Sequence, residues 1–273
     1  MSPATATTAA HATTPDRPPR PKTARIYFLE ARCELLKLVR LPAFALPTIG
    51  FPLLFYILFA VTFNKGKMIG GIGATTTMLA TYGAFGVIGA ALFGFGVGVA
   101  VERAQGWMLL KRASPMPAGA YFFAKIFMSM VFAAVIVVLL SIAGATLGGV
   151  RLAAGQWLAL GAVLVLGTLP FCAMGLAFGT LCGPNSAPAV VNLVYLPMAF
   201  ASGLWIPVQM LPGFLQRLAP WMPPYHLGQL ALKVVDADAG RPAALHVAAL
   251  AAVTVISLAL AWWGGRGDEV TYG

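Results

Sequence analysis

Four charged side chains interrupt an otherwise apolar stretch of this chain. Glu102, Arg103, Lys111 and Arg112 lie between two long hydrophobic runs, just ahead of a break at Ser114-Pro115-Met116-Pro117. Residues of these types form ion pairs and grip a partner surface; they supply no nucleophile with its base. A turn between two membrane spans needs only a few residues, yet about a dozen residues of predicted helix stand here before proline ends them. A short helix held at the membrane surface between two spans is a place where a soluble partner can push.

Residues for covalent chemistry are sparse. His11, His226 and His246 are far apart, and His226 reads as interfacial or structural. Asp236 and Asp238 share its region, but their spacing proposes no mechanism. No GxxxxGK(S/T) phosphate loop occurs, and no HExxH, GxSxG or CxxC motif. Cys33, Cys172 and Cys182 show neither disulfide nor zinc spacing and read as small apolar residues. No cofactor or metal is expected. The apolar runs hold almost no carboxylate, whereas ion-coupled carriers keep ionisable groups there. If the chain transports, its energy comes from elsewhere.

The elements that must position these residues are helices in a membrane. Of the 273 residues, 59% are hydrophobic and 10% charged, against about a quarter charged in soluble domains. Several runs exceed the roughly 18 apolar residues of a membrane helix, and no short alternating strands suggest a barrel. The fold class is therefore an all-α polytopic membrane protein. The net charge of +10 collects at membrane edges, and nothing points to nucleic acid.

Residues 1–23 read as a disordered tail rich in Ala, Thr and Pro, with no signal-peptide core. Ala24 to Leu41 forms an amphipathic helix. Tyr27, Phe28, Ala31, Leu35, Leu38 and Val39 share its apolar face; Arg25, Glu30, Glu34, Lys37 and Arg40 fall on the other. It lies in the interface or extends the first span, and Pro42 breaks the direction and favours the former. Spans are predicted at about 43–63, 77–100, 122–147, 156–180, 187–204 and 243–263. Lys125 is expected to snorkel to the interface. Gly83, Gly86 and Gly89, and the Gly94/Gly98 pair, allow close helix approach, either within the monomer or between copies. Asn192 in the fifth span is a candidate substrate contact or an interhelical hydrogen bond. Residues 205–238, with five prolines from Pro207 to Pro224, are too apolar for an open loop and too broken for a span. Short segments dipping into the interface at Pro212 to Ala219 and Tyr225 to Val235 fit. Residues 264–273 form a polar tail. Twelve of the 18 lysines and arginines fall on the side of the N-terminus, which predicts cytoplasmic termini and a cytoplasmic polar turn.

In combination these segments resemble the permease subunits of ABC-2 type (type V) ATP-binding-cassette exporters. The helix at 24–41 resembles that family's elbow helix. Glu102-Arg103, Gly106 and Leu109 through Arg112-Ala113-Ser114-Pro115-Met116-Pro117 resemble its cytoplasmic coupling helix, here 102–117. Gly203, Trp205, Pro207, Pro212, Pro224 and His226 match its outer re-entrant segment before the last span. The resemblance implies a six-span domain over 42–263 in the cytoplasmic (inner) membrane. It also implies two separate ATPase subunits, a second permease copy, surrounding lipid, and a cargo such as a drug, lipid or glycan. Glu102 and Arg103 would anchor the coupling helix, and Arg112 would help hold the ATPase. Two rival classes stand beside this: an intramembrane lipid-modifying enzyme, and a non-transporting scaffold.

Overall fold

Alanine, glycine and threonine crowd the second apolar run, and small side chains let neighbouring helices close on it from several sides. The computed structural model describes residues 23–114 and 116–271. There this run becomes one continuous rod: α3 (Ala74–Ala91), a π-helical stretch (Leu92–Val97) and α4 (Gly98–Ala104). It is the hub of the molecule. The core of this rod is 72% buried, against 17% for the first and last long helices. Gly83 faces Leu164, Gly86 faces Pro52 and Ile136, and Gly89 faces Tyr195, so three successive glycines seat four different helices. At Gly96 the approach is closest: an added Cβ would meet the Gly175 carbonyl oxygen at 2.9 Å. The predicted glycine contacts thus fall within one chain.

The helices around this rod follow in order. α1 (Thr23–Val39) precedes α2 (Pro42–Phe55), which continues as π-helical Tyr56–Thr62. A hairpin of two-residue strands, β1 (Met68–Ile69) and β2 (Ile72–Gly73), turns through Gly70 and Gly71, both at positive φ. The all-helical expectation missed it. After α5 (Trp107–Ala113) comes α6 (Ala118–Thr146). α7 (Ala154–Leu166) and α8 (Leu169–Leu181) form one rod broken at Gly167 and Thr168, where Leu227 presses on Gly167. α9 (Ala187–Ala201) is followed by a 3-10 turn (Val208–Met210), α10 (Gly213–Leu218), a second turn (Ala219–Trp221), α11 (Pro223–Val234) and α12 (Ala243–Thr271).

Among the described residues, five helices are long and apolar enough to cross a membrane: Pro42–Thr62, Ala74–Ala104, Gly119–Thr146, Ala154–Leu181 and Ala243–Gly265. The chain is thus a multi-pass helical membrane protein. α9 is apolar but has only 15 residues. At 1.5 Å per residue that is about 22 Å, short of a hydrocarbon core of about 30 Å. α12 stays helical to Thr271, past the predicted start of the tail. The predicted tail before Thr23, and Pro115, lie outside the described residues.

The sequence reading misplaced the faces of α1. Its buried residues are Ala31, Glu34 and Leu38, a stripe packed along α6, while Phe28 and Val39 are exposed. Glu34 is turned inward because a lysine on α6 waits there. The rods have two ends. One carries α1, α5 and the α8–α9 turn; the other carries the hairpin, the α6–α7 turn and residues 202–242.

Candidate coupling site

Span 2 delivers Glu102 to the first of these ends, one turn before the helix stops. Gly106 takes φ 73° between α4 and α5, a left-handed turn that only glycine makes without strain. That turn sends α5 off in a new direction.

Glu102 is 3% exposed and binds three side chains. Its Oε1 accepts from Lys37 and, at 3.0 Å, from Lys125; its Oε2 accepts from the Tyr121 hydroxyl at 2.7 Å. Lys125 is 1% exposed and also donates to Glu34. It does not snorkel to the interface as predicted, because two buried carboxylates hold its ammonium in the bundle. Lys37 completes the group, 3.7 Å from Glu34. Beside it Lys111 of α5 donates to Glu30 at 2.5 Å and lies 4.3 Å from the centre of the Tyr121 ring. α1, α4, α5 and α6 are therefore tied by charge at one point. Burying such a group gains little net stability, since desolvation offsets most of the attraction. Its use is specificity: it allows one mutual placement of four helices.

Arg103 points elsewhere. Its guanidinium donates to the carbonyls of Gly179 at 2.7 Å and Thr180 at 2.5 Å, where the end of α8 leaves acceptors unpaired. Ser114 is exposed, and its hydroxyl donates to the Lys111 carbonyl at 2.7 Å. The helix in the turn is α5, seven residues long and shorter than the predicted dozen. Trp107 and Leu110 stand out from it at 52% and 70% exposure. The side chain of Arg112 and all of Pro115 lie outside the described atoms.

The second group of predicted residues gathers at the far end. Gly203 takes φ 80° and is pressed by Val208. The Trp205 ring lies 5.8 Å from Phe55 and 5.5 Å from Phe85, edge-on to both. Pro207 precedes the 3-10 turn, Pro212 caps α10, and Pro224 lies in the first turn of α11. His226 meets His246 of α12, Nδ1 to Nδ1 at 2.9 Å. Burial lowers the pKa of His226 and raises that of Tyr225, while the Lys233 ammonium, 2.9 Å away, lowers that of Asp238. A cavity of about 330 Å³ lies between this region, the hairpin and the start of α3. Asn192 belongs to neither group; it is exposed on α9 and donates to the Pro188 carbonyl of its own helix at 3.1 Å. Among the described residues, no three His, Cys, Asp or Glu side chains converge as metal ligands would.

Sequence reasoning found Glu102 but missed Glu30, Glu34, Lys37, Tyr121 and Lys125 as its setting. One signal was available: Glu34 and Lys125 are ionisable groups flanked by apolar residues, which rarely stay unpaired when buried.

The profile of the family described as ABC-2 type transporter matches residues 28–235, a stretch that contains every member of the ion cluster. "Putative transport permease YvfS" of Bacillus subtilis (strain 168) is 25% identical over 236 residues, which cover 86% of this chain and 95% of that protein. With a helical membrane bundle and a match over most of its length, this chain belongs to the ABC-2 type transporter family and is a transport permease.

Proposed function

We propose that this permease is the membrane subunit of an ATP-driven exporter, acting as a homodimer with two separate ATPase subunits. The observation that carries this reading is the buried ion cluster of Glu34, Lys37, Glu102 and Lys125 beneath the exposed α5. The ATPases dock on α5, where Trp107 and Leu110 are uncovered and Arg112 and Ser114 lie close by in sequence. A push there reaches Glu30 and Tyr121 through Lys111, and Glu102 through its shared lysines. Glu102 is rooted in the hub rod, whose glycines seat four other helices, so displacement at one end is felt along the bundle.

In this reading α1 is the elbow helix, α9 completes six crossings, and the termini and α5 face the cytoplasm. Residues 205–238 then form the outer re-entrant region of an inner-membrane protein. The cargo passes between the two copies, with Asn192 as a candidate wall residue. Apolar and aromatic surfaces favour an apolar or amphipathic cargo. Glu102→Gln keeps the side chain's shape and removes its charge. In the assembled complex it lowers cargo-stimulated ATP turnover by about 5- to 150-fold, the range of a coupling free energy of about 1–3 kcal/mol, while membrane insertion persists. Unchanged turnover and transport in that variant would overturn the reading.

A further inference from the structure

The face of α1 turned away from the bundle has an unusual charge balance. The helix has two carboxylates, and both are consumed elsewhere: Glu30 by Lys111 of α5, and Glu34, buried, by Lys125 of α6. What remains outward is purely cationic. Arg25, Arg32 and, one residue past the helix end, Arg40 are all exposed, and among the described residues none of their side chains has an ion-pair or hydrogen-bond partner. Arg25 even sits in the first turn, where the helix dipole disfavours a cation, so local helix stability does not explain it. Seven and eight residues separate the three, about 10 and 12 Å along the axis, so each can reach its own ligand. Between them Phe28 (67% exposed), Leu36 and Val39 also face outward.

We propose that this face binds anionic phospholipid headgroups, with the arginines on lipid phosphates and Phe28, Leu36 and Val39 in the acyl boundary. A planar guanidinium grips a phosphate through two parallel N–H donors, which a lysine cannot copy, and all three outermost cations are arginines. Mixed basic and apolar surface on a helix is the pattern that holds to an anionic membrane. Because Glu30 and Glu34 tie the same helix to α5 and α6, lipid charge also sets the position of the coupling site. That regulatory half rests on the function proposed above; the lipid capture does not.

The test uses the full chain with Cys182→Ser. Cys33, exposed on α1, then carries a fluorophore, while Cys172 is buried. The labelled protein is placed in phosphatidylcholine vesicles containing a minor share of brominated phosphatidylglycerol or, in parallel, brominated phosphatidylcholine. Quenching by the anionic lipid exceeds quenching by the neutral one, by about fivefold for each arginine engaged, and the excess shrinks as salt rises. Arg25→Gln/Arg32→Gln/Arg40→Gln abolishes the excess, and the matching triple lysine variant keeps part of it. Equal quenching by the two lipids, or an excess unchanged in the glutamine variant, overturns the proposal. The readout needs no ATPase, so its failure is distinct from a failure of the coupling reading.

Discussion

Lys125 shows how one side chain can decide a local arrangement. It lies 1% exposed between Glu34 and Glu102, and without it the two buried carboxylates are left with only the half-exposed Lys37 between them. Lys125→Met therefore destabilises the protein by about 3–5 kcal/mol, the usual penalty for breaking a buried pair from one side. Thermal unfolding in detergent measures it. Glu34→Gln added to Lys125→Met recovers part of the loss by removing one uncompensated charge; a double variant no better than the single would refute this account. The sequence pointed to Glu102 because its neighbours on the chain are polar. It could not point to Lys125 as its partner. The two carboxylates that hold Lys125 lie 91 and 23 positions away, and only the fold brings them together.

Among the elements, α11 has a hold on the bundle that depends on the protonation of a histidine. His226 and His246 face each other through Nδ1 atoms, and two such atoms at 2.9 Å share one proton and cannot both carry one. Arg241, Lys233, Asp238 and Tyr225 surround them. The folded state lowers the pKa of His226 below its ordinary 6.5 because burial disfavours the imidazolium. The stability this gives is complete above about pH 6.5 and is lost as pH falls through the folded value. The protection of the amides of α11, taken relative to the unfolded chain's exchange rate at each pH, accordingly falls between about pH 7.5 and about pH 5.5, and His226→Gln flattens that response. Equal protection at both pH values would exclude it. A second contact can be tested at Gly96, where a methyl group meets backbone and cannot be accommodated by a side-chain rotation. Gly96→Ala costs about 1–3 kcal/mol as overpacking between the hub and α8, read as a lowered Tm. The prolines made α10 and α11 legible, since Pro212, Pro223 and Pro224 mark helix starts. The hairpin was not legible: two-residue strands carry no periodicity, and only Gly70-Gly71 hinted at the turn.

For the whole molecule, composition alone gave a helical membrane bundle, and the close glycines gave a crowded second span. The arrangement of its ends follows from the helices. Lys67 and Gln209 lie at one end, Cys33 and Ser114 at the other. With the hairpin end outward, as proposed above, and in a background without Cys33 and Cys182, an impermeant maleimide on intact cells labels Lys67→Cys and Gln209→Cys alike and spares Ser114→Cys. Labelling of all three from one side would break this arrangement. The π-helical stretch Leu92–Val97 lies between the two ends of the hub. A π turn holds more residues than an α turn, so this stretch fixes the azimuth of Glu102 relative to the hairpin end. Removing one residue there would rotate everything beyond it by about 100° and swing the carboxylate away from Lys125. The compass bearing of the ion cluster is thus stored in a few over-wide backbone turns, and rewinding them would work the rod like a key in a lock.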